Sequence, residues 1–131
     1  MKKIELAGCV ILDDNRILLL HREKRDWYEL PGGKIDEGES PKEAAKREIK
    51  EELGCDVEII RELGEKDFQE EEYIMKYNWF LAILKGTPKL MEPDTFSHYK
   101  YISLDQLENY KLSPNMENLY KEIKEKRIKL A

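Results

Sequence analysis

Polar and apolar positions alternate from Lys3 to Leu6 and then give way to a continuously apolar AGCVIL at residues 7–12. That pattern predicts a strand entering a sheet covered on both faces. Asp13-Asp14-Asn15 reads as a turn, and Arg16 to Arg22 carries ILLL, a second buried strand, so residues 3–22 are predicted to form a hairpin or an adjacent pair. EKRDW is a polar loop, and WYELPGG is a short extended piece, because Pro31 disfavours helix in the residue before it. A helix is predicted from residue 41 to about Leu53. Ser40 with Glu43 makes a capping box, Pro41 fills the first helical position and Gly54 stands where a left-handed residue would close the last turn.

Beyond the helix, Asp56 to Leu63 reads as a strand and EKDFQEEE as a charged turn region. Residues 73–84, YIMKYNWFLAIL, form the longest run of aromatic and branched residues and are expected to be a central strand. Gly86, Pro88 and Pro93 punctuate a loop or ragged edge. Tyr99 to Ile102 is a short strand, and Ser103 with Gln106 offers a second capping box for a brief helix SLDQL. Ser113-Pro114 opens a last helix whose Met116, Leu119, Tyr120 and Ile123 make one apolar stripe, followed by a basic tail expected to fray. Strands, helix, strands and two closing helices imply a mixed sheet between helices in one domain over residues 1–131.

Composition narrows the partners. The formal net charge of -5 leaves no basic footprint for long nucleic acids, so an anionic substrate must be held by local cations or by metal. Cys9 and Cys55 form neither a disulfide framework nor a C-x-x-C pair, which points to a reducing interior. LAGC near the start resembles a lipobox, yet Glu5 interrupts an apolar segment already too short for a signal peptide. No run approaches the ~18 apolar residues of a membrane span, so a cytoplasmic protein that does not engage membranes is expected.

The predicted first helix carries the candidate chemistry. At about 100° per residue, Ala45, Ile49 and Leu53 form an apolar line while Glu48, Glu51 and Glu52 fall together on the adjoining arc. Like charges at these spacings destabilise a bare helix, and a hard divalent cation would remove the repulsion. Mg²⁺ suits oxygen ligands and bridges carboxylates to phosphates, with Mn²⁺ as an alternative. A Glu/Lys-rich helix in a chain that is 39% charged is by itself more often a solvated face. The wider spacing decides between them. Gly33, Glu39, Arg47-Glu48-Ile49, Glu51-Glu52 and Gly54 fall at the intervals G-x5-E-x7-R-E-U-x-E-E-x-G-U, in which only the final aliphatic position departs, as Cys55. This is the Nudix box, and the chain resembles the Nudix hydrolases.

The resemblance implies an α/β fold, the Nudix α/β/α sandwich with a mixed β-sheet, and Mg²⁺-dependent hydrolysis of a nucleoside diphosphate linked to another moiety. Glu48, Glu51 and Glu52 would be metal ligands and catalytic groups, and Arg47 would hold a glutamate in its ligating rotamer, with Glu39 as its partner. Gly33 and Lys34 are candidates for phosphate contact, Arg22 and Trp27 for the substrate, and Asn115 or Asn118 for a purine base. Trp27, Tyr28, Tyr77 and Trp79 could stack on a base, although an aromatic in a strand is more often core. A further acid is expected from Glu92, Asp94 or one of Glu70, Glu71 and Glu72. Position 70, where a proline marks many ADP-ribose hydrolases, is Glu70. His21 and His98, isolated in sequence, do not suggest zinc, and a histidine base, with His98 in a loop-to-strand segment, stays open as the alternative to a carboxylate. Small nucleotides are the expected partners, and a homodimer stays open. The alternative, a non-catalytic nucleotide-binding or sensor module, would be expected to lose box glutamates, and this chain keeps them.

Overall fold

The computed structural model describes residues 1–130. Strands β1 (Lys2–Asp13), β2 (Arg16–Arg22), β3 (Trp27–Glu29) and β4 (Gly32–Lys34) precede helix α1 (Pro41–Leu53). Strands β5 (Asp56–Glu70), β6 (Tyr73–Lys85) and β7 (Phe96–Ser103) follow, then a 3₁₀ turn (Leu104–Asn109) and helix α2 (Pro114–Lys124). The spatial order is β3-β2-β1-β6-β5, with β4 added to β1 and β7 to β2. The predicted hairpin of β1 and β2 is paired only at Leu12↔Ile17 and Asp13↔Arg16. From there the strands part. β1 runs parallel to β6 from Lys2 to Ile11 and antiparallel to β4, while β2 joins β7 and β3.

Continuously apolar strands are required because alternate residues feed two separate layers. Ala7, Cys9, Ile11, Leu18 and Leu20 pack with Ala44, Ala45, Ile49 and Leu53 of α1. Val10, Ile17 and Leu19 pack on the other side with Leu107 and with Met116 and Leu119 of α2. A mixed sheet with flanking helices results.

Three local expectations are corrected. Residues 65–70, expected to turn, extend β5, because β6 pairs with every part of it from Asp56↔Lys85 to Glu70↔Tyr73. Backbone pairing overrides the charged composition here, and alternation survives with Lys66, Phe68 and Glu70 half-buried. Irregularities at Ile59/Arg61 and Glu62/Gly64 change the strand's phase. Val57 and Ile59 therefore serve the α1 layer, and Leu63 and Phe68 the α2 layer. Ser103 makes no side-chain cap, since it still pairs with Arg16 as the last residue of β7. The tail, whose residue 131 lies outside the described residues, is docked rather than frayed at Arg127 and Ile128. Backbone amides of Arg127 and Ile128 both donate to the Glu122 carbonyl, and Ile128 is buried in the α2 layer.

Glu122 ties this corner together, accepting from Arg127, and less strongly from Lys66 Nζ at 3.3 Å, which hold its carboxyl down to about 2. A depressed carboxylate contributes stability that is complete above its unfolded pKa of about 4.3 and is lost as pH falls toward the folded value. Glu122→Gln should therefore melt lower than the parent at neutral pH, with the gap closing between about pH 5 and about pH 2. Melting curves across that range check this, and a gap independent of pH would contradict it.

Candidate active site

Helix α1 starts as its sequence demands: Ser40 Oγ accepts from the Glu43 amide at 3.1 Å, and Glu43 Oε1 accepts from the Ser40 amide at 3.0 Å. Gly54, at φ +69°, closes the last turn. The apolar line seats the helix on β1, β4 and β5, and this seating buries more of the polar arc than the helical wheel anticipates. Glu52 follows the Ile49 line closely enough to be only 4% exposed, whereas Glu51 stays half in solvent.

Each glutamate has a different environment. Glu52 Oε1 accepts one hydrogen bond, from the Gly32 amide at 2.8 Å, and burial pushes its carboxyl well above the ordinary range despite that donor. Glu48 is also raised by burial, with Arg47 pulling the other way. Its carboxylate lies against Gly33 so closely that a Cβ there would stand 2.6–2.7 Å from its end atoms. Glu51 accepts from Arg47 Nη1 at 3.1 Å, and the same nitrogen donates to Glu48 Oε1 at 3.1 Å. Arg47 Nε and Nη2 fork onto Glu39 at 2.8 and 3.1 Å, and Nη2 also reaches the Lys34 carbonyl at 2.9 Å. One guanidinium thus fixes the turn, Glu39 and two helix carboxylates, and the Glu39 bond is the main reason its own pKa rises.

Among the described residues, no three His, Cys, Asp or Glu side chains are grouped as a finished metal centre. Arg47 spreads Glu48 and Glu51 onto its own nitrogen. The donor set nevertheless fits a hard divalent cation. It offers carboxylate oxygens alone, one of them buried with a single amide for compensation, beside a glycine backbone that leaves no side chain in the way. A bound cation would compete with Arg47 Nη1 for Glu48 and Glu51 and would leave the Glu39 fork untouched.

Beside these glutamates opens a cavity of about 270 Å³. Of the residues expected to meet substrate, it gathers Arg22, Trp27, Gly33 and Asn115. Strand β3 docks on the start of α2 through Tyr28 N–H to the Lys111 carbonyl and Ser113 N–H to the Tyr28 carbonyl, and this carries Asn115 to the cavity wall. Asn115 Oδ1 accepts from the buried Trp79 Nε1 at 2.8 Å, which orients the amide and leaves Nδ2 to face the cavity. Lys34 is not among the lining residues; it is exposed, and its carbonyl serves Arg47. Asn118 bonds its own helix at Pro114. Of the aromatic candidates, Trp27 and Tyr77 reach the cavity, while Trp79 is core and Tyr28 turns to His98 and Tyr110. Glu92 is close enough to raise Glu48 and Glu52.

The histidines are isolated in sequence only. Their rings stack at 4.8 Å, joined through Ser97, the residue left unpaired where β7 slips against β2. His21 Nε2 lies 2.8 Å from Asp26, an acceptor only, so Nε2 carries the proton and Nδ1 accepts from Ser97 Oγ at 2.6 Å. Ser97 in turn accepts from His98 Nδ1 at 3.0 Å, and His98 Nε2 accepts from the Tyr28 hydroxyl at 2.9 Å. Burial and the neighbouring ring lower the His98 pKa. The pair stands outside the cavity lining.

Sequence reasoning missed Glu29, Phe68 and Met75. Glu29 accepts from Arg22 Nε at 2.6 Å and Trp27 Nε1 at 2.8 Å and so fixes both walls. The two-residue alternation of Trp27 and Glu29 was the available signal. Phe68 pairs with Met75 across β5 and β6; its segment's charge concealed the strand.

The fold has close counterparts. A MutT NUDIX hydrolase from Burkholderia pseudomallei superposes with a TM-score of 0.86 at 29% identity, over 94% of this chain and 99% of that one. An RNA pyrophosphohydrolase of Nitratiruptor is 39% identical over 100 residues, 65% of this chain and 64% of that protein. An 8-oxo-dGTP diphosphatase of Escherichia coli is 29% identical over 94 residues, 67% of this chain and 73% of that protein. The matched stretch spans between 31% and 73% of the curated relatives' own lengths. A family model described as the NUDIX domain matches residues 3–123, and with Glu48 and Glu52 set against Gly33 and Gly32, which line this cavity, the chain belongs to the NUDIX family.

Proposed function

We propose that this protein hydrolyses small nucleotides at a phosphoanhydride bond, as a Mg²⁺-dependent pyrophosphohydrolase, with nucleoside triphosphates and oxidised nucleotides as first candidates. The observation that carries the reading is the contact of Glu52 with Gly32 and of Glu48 with Gly33, two glycines that line a cavity shared with the aromatic Trp27, Phe68 and Tyr77 and the amide of Asn115. A nucleotide fits this polarity with its phosphates at the carboxylates and its base between Trp27 and Asn115. The names of the relatives, an 8-oxo-dGTP diphosphatase and an RNA pyrophosphohydrolase, support the class of bond.

Glu48, Glu51 and Glu52 would hold the cation, which when bound supplies charge neutralisation on the phosphate oxygens and a more acidic water. Arg47 positions the ligands from its Glu39 fork. Glu92, in the loop before β7 and close enough to act electrostatically on Glu48 and Glu52, is the candidate to take the proton from the attacking water. Asn115 Nδ2 would donate to an acceptor on the base, its amide oriented by Trp79.

A panel of nucleoside triphosphates, oxidised guanine nucleotides, ADP-ribose, nucleotide sugars and dinucleoside polyphosphates, assayed with Mg²⁺, with Mn²⁺ and with chelator, tests the reading. The expected result is phosphate or pyrophosphate release from at least one nucleotide, abolished by chelator. Binding without hydrolysis under every metal condition would favour a sensor module instead.

A further inference from the structure

Most charged groups lining the cavity are already committed. Glu29 is held by Arg22 and Trp27, and Arg25 donates to Glu71 at 3.1 Å while lying over the Trp27 ring. Glu70 is the exception: it lines the cavity half-buried, yet among the described residues it receives no hydrogen bond and joins no ion pair. Desolvation, then Glu71, raises its carboxyl pKa, and Arg25 and Arg22 nearby only partly offset this, neither of them bonding to it.

The strand geometry says which part of a ligand Glu70 would meet. Alternation puts Glu70 on the same face of β5 as Phe68, and Phe68 pairs with Met75, which shares a face of β6 with Tyr77. Tyr77 and Gly33 mark the carboxylate end. Glu70 pairs with Tyr73, four residues from Tyr77, or about 13 Å along the strands at about 3.3 Å per residue. An apolar floor of Phe68 and Met75 thus leads from the phosphate end to one uncommitted acceptor at the far end. A planar ring lying on that floor, with its phosphates at Gly33, would direct its outermost substituent at Glu70.

We infer that Glu70 is a specificity-determining residue that accepts a hydrogen bond from the exocyclic amino group of the substrate's base, so that the cavity favours amino-bearing bases over their oxo or unsubstituted counterparts. The inference rests on the nucleotide reading above and adds the base class to it. An ionised carboxylate accepts only, so it rewards an amine and is left facing a carbonyl oxygen or a bare edge by the alternatives. A hydrogen bond to a charged group in a half-buried site corresponds to at least about tenfold in affinity.

The test measures binding of GMP against IMP, and of CMP against UMP, by calorimetry in Mg²⁺ buffer, using the full chain, Glu70→Leu and Glu70→Gln. The expected parent preference is at least about tenfold for the amino-bearing member of one pair or both, falling to within about twofold in Glu70→Leu. Glu70→Gln keeps one acceptor oxygen and the original shape, so it should fall between them and carries the test should the leucine variant not fold. A preference unchanged in Glu70→Gln, no preference in the parent, or no binding of any monophosphate would each overturn the inference. Triphosphate turnover in the same preparations separates the two readings. Amine-dependent binding without turnover sinks the hydrolase and leaves Glu70 its role, whereas turnover with selectivity indifferent to Glu70 sinks this inference alone.

Discussion

Glu52→Gln is expected to lower nucleotide turnover by at least about 100-fold, roughly 2.7 kcal/mol of transition-state stabilisation, while the folded protein melts at the same temperature or higher. The two effects have opposite signs for one reason. Glu52 is a buried carboxylate with a single amide for compensation, so in the protein alone its charge is a cost that glutamine removes at nearly constant volume. Toward a cation that same charge is the useful quantity. Glu51→Gln should lose activity to a similar extent, with little change in stability, because its ion pair with Arg47 is half exposed. Steady-state rates at saturating metal and thermal melts on both variants are the measurements. Near-normal turnover in both would remove the helix carboxylates from the chemistry.

Alanine at Gly32 and at Gly33 should fail in different ways, although the residues are neighbours. A Cβ on Gly32 would lie 2.4 Å from the Ala7 carbonyl oxygen and 2.6 Å from the Gly8 Cα, at a φ of +154° that side chains rarely adopt. Backbone in the middle of a sheet cannot retreat, so Gly32→Ala is expected to cost about 3 kcal/mol or more and to leave little folded protein. At Gly33 the obstacle is the end of the Glu48 side chain, which can swing aside. Gly33→Ala should fold within about 1 kcal/mol of the parent yet lose at least about tenfold in turnover, because Glu48 leaves its place. Equal stability losses in the two variants, measured by denaturant titration, would contradict the assignment.

The site was legible in the sequence wherever its geometry is local. Ser40, Pro41, Glu43 and Gly54 define α1 within the chain itself, and fixed spacing then sets Arg47 beside Glu48 and Glu51. The fork onto Glu39 also followed, being eight residues away across one turn. What the sequence concealed depends on distant strands. The burial of Glu52 comes from the layer under α1, and the extension of β5 through six residues of mostly charged sequence comes from its partner β6. The histidine stack is invisible without the register of β2 on β7, which places two residues 77 positions apart opposite one another. Residues that meet only through a sheet leave no mark in local periodicity.

The carboxylates, their guanidinium and the glycine turn all lie on one continuous stretch, from Gly32 to Glu52, whereas the remaining cavity walls come from β1, β2, β3, β5, β6, the segments beside β3 and the start of α2. Apart from Gly32 and Gly33, which belong to both sets, the two can drift separately over evolutionary time. On the proposed reading, a change at Trp27, Glu70 or Asn115 would alter what is admitted without touching the helix that carries the carboxylates, and a duplicated copy could acquire a new substrate through a handful of wall substitutions. The reverse route would be closed, because on the same reading a change at Glu52 or Gly33 would spoil every substrate alike.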